Sequence, residues 1–428
     1  MKHVALSRLG RRSEPPAISW LMEVALSRPQ MISLAAGFTD NETLPVTDTR
    51  ELVDEVLKSR KNGRPSLQYG MPAGDPMLRI LTARDCRLKD GAPEGDKVYS
   101  ADRMIITNGS QQMLYMVTEA LCDEGDIVLV EDPTYFVYLS ILQSRGVRGR
   151  GVRLLEDGIE LEHLKAVLER LKKSGEIRRV KFLYLVSYYQ NPTSVTTSFA
   201  KKAGALKLLK QYERAAGHPI YLLEDAAYRE LRFRGADEKS ALAVKGHADR
   251  VIYAGTYSKP FATGLRVGFG ILPEPVYTAA IRIKGNHDFG TSNLPQQLVA
   301  HAIKSGRYEK HLKELQRRYA HKAQVMESAM KRYFPTEATW WEPRGGLYIW
   351  ARLPKTMRSG MKSKLFQTAI GRDILYVPGE LGYVDDPARR KPDHEMRLSF
   401  GGGTEANIQA GIERLGSVLR KMFKTAKR

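Results

Sequence analysis

Hydrophobic positions along the chain follow two regimes. In the first, near-continuous apolar runs occupy Met104 to Thr107, Ile127 to Val130, Phe182 to Val186, Ile220 to Leu223, Val251 to Ala254 and Val267 to Leu272. Strands buried on both faces read this way. Between the runs the period turns helical. Met113, Met116, Val117, Ala120 and Leu121 share one helix face directly after Asn108-Gly109-Ser110. The alternation predicts an α/β domain around a mostly parallel sheet, with ligands gathered beyond the strand ends. Past residue 300 the regime changes. Leu312, Leu315, Tyr319, Ala323, Met326 and Met330 form a long amphipathic stripe. Strand-like segments follow at Leu347 to Trp350, Ile374 to Val377 and Met396 to Phe400, then a helix from Glu405 to Lys421. This predicts a smaller α+β domain, with the long helix as connector. No repeat or low-complexity segment interrupts either part.

Composition narrows the class. The chain has 428 residues, 42% hydrophobic and 27% charged, a globular mixture rather than a disordered one. No apolar run approaches the ~18 residues of a membrane span. The basic stretch Met1 to Glu14 lacks the apolar core and small-residue cleavage site of a secretory leader. Cys86 and Cys122 form neither a disulfide framework nor a metal spacing and read as buried thiols in a reducing cytoplasm. The net charge of +20 favours anionic ligands. The densest basic stretches, Arg145 to Arg153 and Lys172 to Lys181, contain no zinc-finger or RNA-binding signature, so no specific nucleic-acid partner is expected. The nine histidines form no metal motif. Gly146 to Gly151 does not lead into a helix; it reads as a twisted strand, not a dinucleotide loop. Gly401-Gly402-Gly403 reads as a turn into the last helix.

Polar clusters punctuate the strand ends. Thr107-Asn108-Gly109-Ser110-Gln111-Gln112 lies between a strand and a helix, where free backbone N–H groups suit a phosphate; Ser110 as a plain N-cap explains it equally well. Tyr135, after Glu131-Asp132-Pro133-Thr134, is either a stacking residue or a core tyrosine. Tyr189-Gln190-Asn191-Pro192-Thr193 is a turn signal whose Asn191 can donate to a phenolate oxygen. Glu224-Asp225-Ala226-Ala227-Tyr228 sets carboxylates just beyond a buried strand, which is costly unless they are paired; a protonated pyridine is one such partner. Thr256-Tyr257-Ser258-Lys259-Pro260 precedes Gly264-Leu265-Arg266-Val267-Gly268. A partly desolvated lysine near another cation has a lowered pKa and serves as an amine nucleophile. Arg397, within the apolar Met396 to Phe400, needs an anion: a ligand carboxylate or an internal ion pair.

Six such clusters in this order resemble the fold-type I pyridoxal-5′-phosphate (PLP) aminotransferases of class I/II. Within them the chain is most similar to the branch holding kynurenine/2-aminoadipate aminotransferases and the aminotransferase-like domain of MocR-type regulators. The resemblance runs from about Ser33 to the last helix. Its most specific marks are Lys259 with an arginine seven residues on, and the Asp-x-x-Tyr of Asp225 and Tyr228. It implies the α/β PLP-dependent transferase fold type I: an N-terminal segment, 1–40, packing with the small domain and over the active site, a large domain, 41–299, and a small domain, 300–428.

The resemblance also implies the roles. Lys259 forms the Schiff base and shuttles the proton. Asp225 pairs with the pyridine nitrogen. Tyr228 and Asn191 bond the 3′-oxygen, and Tyr135 stacks on the ring. Ser110, Gln111, Thr256, Ser258 and Arg266 hold the phosphate. Arg397 clamps the substrate carboxylate, and Gly37 lies in a segment covering the substrate. Tyr69 matches a tyrosine that reaches the neighbouring subunit's phosphate, implying a homodimer with shared active sites. The implied reaction moves an amino group from an L-amino acid to a 2-oxo acid by a ping-pong scheme. Another PLP reaction (β-lyase, decarboxylase, racemase) or a non-catalytic sensing module is the alternative. Only about 30 residues precede Ser33, too few for the winged-helix domain such regulators carry, which favours the enzyme.

Three positions depart from the family pattern. Ser194 stands where a glycine is usual, and Ala226-Ala227 follow Asp225 where Asp-Pro is common. Around Ser19 to Val24, Leu21 or Met22 falls near the place where some 2-aminoadipate enzymes have an arginine. The last difference favours aromatic or large apolar side chains over dicarboxylates. Donor, acceptor and pathway stay open.

Overall fold

The computed structural model describes residues 5–426, so residues 1–4 of the basic N-terminal stretch lie outside the described residues. In chain order the strands are β1 (Ile32–Ser33), β2 (Met104–Asn108), β3 (Ile127–Asp132), β4 (Arg148–Leu155), β5 (Gly158–Ile159), β6 (Val180–Val186), β7 (Tyr221–Asp225), β8 (Val251–Thr256), β9 (Val267–Ile271), β10 (Thr339–Trp340), β11 (Tyr348–Arg352), β12 (Ile374–Leu375), β13 (Val377–Pro378) and β14 (Glu395–Ser399).

Eight of them form the central sheet, in the order β2-β9-β8-β7-β6-β3-β4-β5. The pairs β4–β3, β3–β6, β6–β7 and β7–β8 are parallel, whereas β9 runs antiparallel to both its neighbours. Parallel neighbours require crossover segments, and helices supply them. Helix Leu161–Lys173 packs on helix Phe199–Ala216, and Gly109–Leu121 lies against β8 and β9. Because six strands, β2, β3, β4, β6, β7 and β8, share one direction, the chain leaves β2, β3, β6, β7 and β8 at the same sheet edge, and Arg266 enters β9 there. Solvent is excluded from the whole apolar part of these strands: Ile105, Val128, Leu183, Leu222 and Ile252 are fully buried.

A second sheet, β10-β11-β14-β13, is antiparallel, and helix Arg307–Tyr333 packs on helix Glu405–Ala426 beside it. The N-terminal segment joins this part: β1 pairs with β12, and the Ser399 amide donates to the Leu34 carbonyl.

Three boundaries differ from the sequence reading, each for a tertiary reason. The segment Ile374 to Val377 is two strands, because Ile374–Leu375 pairs with β1 and Val377–Pro378 with β14. Asp225 is the last residue of β7, not a residue beyond it, since β8 pairs with β7 as far as Asp225 opposite Ala254. Ser110 is not the N-cap. The cap of the Gly109–Leu121 helix is Asn108, whose side chain turns away to Asp288 at 3.0 Å. The Gly146–Gly151 stretch does run into a strand, β4.

Candidate active site

Six segments converge on a cavity of about 380 Å³ at the common sheet edge. It is lined by Ser110, Gln111, Tyr135, Val137, Val186, Asp225, Ala227, Tyr228, Thr256, Ser258, Lys259 and Arg266. Pleating explains why Asp225 reaches it and Glu224 does not, for consecutive side chains of a strand face opposite ways.

Asp225 is 3% exposed. Its Oδ2 accepts from the Tyr184 hydroxyl at 2.9 Å and its Oδ1 from the Ala227 amide at 3.0 Å. No cation stands among these partners. Burial lifts its pKa to about 6, and the two hydrogen bonds act against the rise.

Lys259 follows β8. Its Nζ donates to the Gly37 carbonyl at 2.8 Å. Burial lowers its pKa to about 8, helped by the positive charges of Arg266 and Arg397. A large fraction of this amine is therefore neutral near pH 8, as nucleophilic attack on a carbonyl requires.

Arg266 takes up a left-handed conformation, φ 55°, as the chain turns into β9. Its Nη1 donates to Ser258 Oγ at 3.3 Å and to the Thr263 carbonyl at 3.4 Å, both neutral groups. The Ser258 amide donates to Thr256 Oγ1 at 3.1 Å. The first turn of the Gly109–Leu121 helix lies alongside. Two glycines permit this. Gly109 has φ +71°, and a Cβ on Gly268 would sit 2.5 Å from the Ser110 nitrogen. A helix N-terminus, two hydroxyls and a guanidinium without a carboxylate make a site for an anion.

Arg397 enters from β14 and is 1% exposed. Its Nη1 donates to Asn191 Oδ1 at 2.8 Å, and Nη2 to the Ala35 carbonyl. Its Nε has no hydrogen-bond partner among the described residues. The ion-pair alternative is thus not what the fold built: the hydrogen-bond partners are neutral. Asn191 Nδ2 also donates to the Tyr228 hydroxyl at 3.4 Å, and Tyr228 and Tyr348 share a hydroxyl contact of 3.2 Å.

The fold therefore gathers Ser110, Gln111, Tyr135, Asn191, Asp225, Tyr228, Thr256, Ser258, Lys259, Arg266, Arg397 and the Gly37 carbonyl. Tyr69 stands apart. It is 83% exposed and packs edge-on against Phe289 at 5.5 Å. Ser194, in place of the family's glycine, keeps the left-handed backbone at φ 62°, and its hydroxyl donates to the Tyr348 carbonyl. Sequence reasoning missed Tyr184 and Tyr348. Each is a buried aromatic in an apolar strand, with no local signal separating it from core.

This fold and this cluster define a class, and the comparisons agree. The description "aminotransferase class I and II" matches residues 29–415, and the chain belongs to that family. An aromatic-amino-acid aminotransferase of Thermococcus litoralis is 32% identical over 92% of this chain and 89% of its own. A 2-aminoadipate transaminase of Thermus thermophilus is 31% identical, over 92% of each chain. A kynurenine aminotransferase of Pyrococcus horikoshii, solved with PMP, superposes with a TM-score of 0.88 at 29% identity, covering 98% of this chain and 97% of that one. The protein is a PLP-dependent aminotransferase of fold type I. The cavity fits that cofactor on its own terms: a buried carboxylate lacking a cation, a guanidinium lacking an anion, and a part-neutral amine line one space.

Proposed function

We propose that Lys259 binds the cofactor covalently and moves the substrate α-proton, in an exchange between an L-amino acid and a 2-oxo acid. The observation that carries this reading is the buried Lys259 amine, with its pKa near 8, in the same cavity as the cation-free Asp225. PLP, when bound, supplies the carbonyl that captures the amino group and the ring that withdraws electrons from it. The residues do the rest. Asp225 holds a proton on the ring nitrogen, and Tyr228 and Asn191 donate to the 3′-oxygen. Tyr135 covers the ring face. The Ser110 and Gln111 amides, Thr256, Ser258 and Arg266 hold the phosphate. Arg397 receives the substrate carboxylate in place of the Ala35 carbonyl, fixing the α-carbon beside Lys259. The Gly37 carbonyl holds the amine until the cofactor arrives.

Three further readings belong to this proposal. The chain divides at 1–40, 41–299 and 300–428, supported by two sheets that share no strand. The working unit is a homodimer. In support, Leu67, Tyr69, Met71 and Phe289 are all more than half exposed, and Tyr69, packed edge-on against Phe289, presents its ring on the surface where a second copy's phosphate site would meet it. The amino donor carries an aromatic or large apolar side chain. A cavity of about 260 Å³ beside the Ala36–Phe38 strap is lined by Leu21, Met22, Ala25, Met31 and Phe38, without a cation. The name of the Thermococcus litoralis relative agrees with that preference. No described helix is long and apolar enough to cross a membrane. A cytoplasmic location rests on the two free buried thiols, Cys86 and Cys122.

The test is a visible spectrum of the PLP-loaded protein, followed by titration with single amino acids. Conversion of the bound cofactor's band to that of its aminated form, fastest with aromatic donors, is expected. A stable band that no amino acid converts would point instead to a lyase, a decarboxylase or a sensor.

A further inference from the structure

We infer that Tyr184 is a positioning residue for this reaction, holding Asp225 ionised and aimed at the ring nitrogen of the cofactor. The inference rests on the role proposed for Asp225. Tyr184 lies on β6, the neighbour of β7, and donates to Asp225 Oδ2 at 2.9 Å. The Ala227 amide takes the other oxygen. Each carboxylate oxygen thus has one donor and keeps a lone pair for the ligand.

The phenol is fixed from behind. Tyr184 is fully buried, and its ring packs on Tyr138, tilted by 32°, with centroids 3.9 Å apart. The Tyr138 hydroxyl meets Thr118 Oγ1 at 3.0 Å, and Thr118 donates to the Leu114 carbonyl at 2.8 Å. Leu114 and Thr118 belong to the helix whose N-terminus faces the phosphate site. One helix therefore braces both the anion site and, through Tyr138 and Tyr184, the carboxylate.

The hydroxyl matters because of what surrounds Asp225. Glu131 from β3, Tyr135 and Tyr138 add negative or neutral groups and no cation. A buried carboxylate in such company tends to take up a proton. If Asp225 took it, the ring nitrogen would lose it. A donor to the carboxylate favours the state with Asp225 charged and the ring protonated. Burial and Asp225 itself push the Tyr184 pKa far above its ordinary value, so the hydroxyl remains a donor across the working range.

The experiment uses full-length protein loaded with PLP. Tyr184→Phe keeps the ring and its packing on Tyr138. The dissociation constant of PLP and the pH midpoint of its visible band are measured in wild type, Tyr184→Phe, Asp225→Asn and the double variant. With less positive charge on the ring, the nitrogen joining the cofactor to Lys259 keeps its proton to higher pH. The expected result is a rise of roughly tenfold in the dissociation constant and about one unit in the midpoint, the scale of one charge-assisted hydrogen bond. Neither change recurs in the Asp225→Asn background. Tyr188→Phe removes an equally buried hydroxyl that has no hydrogen-bond partner among the described residues, and should leave both values unchanged. Wild-type values in Tyr184→Phe overturn the inference, as do equal shifts in the Asp225→Asn background. Should Tyr184→Phe fail to fold, 3-fluorotyrosine at position 184, a stronger donor of the same shape, should lower the midpoint. No shift there overturns it too. Wild-type protein that binds no PLP would sink the underlying reading as well.

Discussion

Two neighbouring carboxylates on β7, Glu224 and Asp225, sit in opposite electrostatic worlds. Glu224 faces a closed cluster. Lys202 Nζ lies 2.9 Å away, and both side chains are fully buried. Arg229, in the same cluster, pairs with Asp90 at 2.8 Å and Asp237 at 2.9 Å, and its guanidinium lies 5.0 Å above the Tyr188 ring. Asp225 faces the open cluster. Its partners are a phenol and an amide, while Lys259, Arg266 and Arg397 donate to neutral oxygens. Burying a charge is expensive unless it is paired. In the closed cluster the fold supplies the pairing, and the ions serve as structure. In the open one each charge lacks an ion-pair partner among the described residues, and a ligand with a pyridine nitrogen, a phosphate and a carboxylate supplies all three. The same physics therefore separates a structural ion from a functional one.

That contrast can be broken by single substitutions. The largest effect is expected at Lys259. Lys259→Ala should lower turnover on the order of 10⁴-fold or more, with the urea midpoint of the apoprotein nearly unchanged. Retained turnover would remove Lys259 from its role. In the closed cluster the outcome inverts. Asp90→Ala removes one of the two carboxylates that pair with buried Arg229, and the acceptor of Tyr99, and should cost about 3–5 kcal/mol in urea unfolding, while the folded fraction keeps its kcat. A loss of kcat without a loss of stability would merge the two clusters. Next comes Arg397→Ala, expected to raise the KM for amino acids roughly 100-fold while PLP affinity changes little, since a bidentate partner of the carboxylate is lost. An unchanged KM would make Arg397 a purely structural residue.

Acidity sharpens the contrast further. The Lys259 pKa is lowered to about 8, so the neutral amine is plentiful above that pH and scarcer by about tenfold per unit below it. The Asp225 pKa is raised to about 6, so its negative charge is present above that pH and lost as pH falls through it. Stopped-flow capture of PLP should accelerate up to about pH 8 and then level off, and equilibrium affinity should fall below about pH 6. Capture independent of pH between 6 and 8 would contradict the buried amine. The smallest effect is one of preference. Met22→Arg places a cation in the apolar cavity beside Ala36 and should shift kcat/KM toward a dicarboxylic donor by about tenfold, read from paired assays with an aromatic amino acid and 2-aminoadipate.

Much of the site was legible because chemistry marks it locally. A lysine and an arginine seven residues apart around a strand end, an Asp-x-x-Tyr and an Asn-Pro turn are short-range signals. So are the apolar runs, whose lengths matched the strands closely. Less legible were features that depend on a neighbour. The split of Ile374 to Val377 follows from two different pairing partners, β1 and β14, remote in sequence. Ser110 looked like a cap until Asn108 proved to occupy that position.

From the chain alone came the alternation of buried strands and helices, the family and the polar residues at the strand ends, because periodicity and spacing are properties of neighbours along the backbone. Tertiary structure alone decided which charges would be paired. It set Glu224 against Lys202 and left Asp225 to Tyr184, brought Arg397 from 172 residues beyond Asp225 without a carboxylate, and laid the Gly37 carbonyl on Lys259. Whether a buried ion is satisfied depends on what the fold packs against it, and that partner can come from any point along the chain.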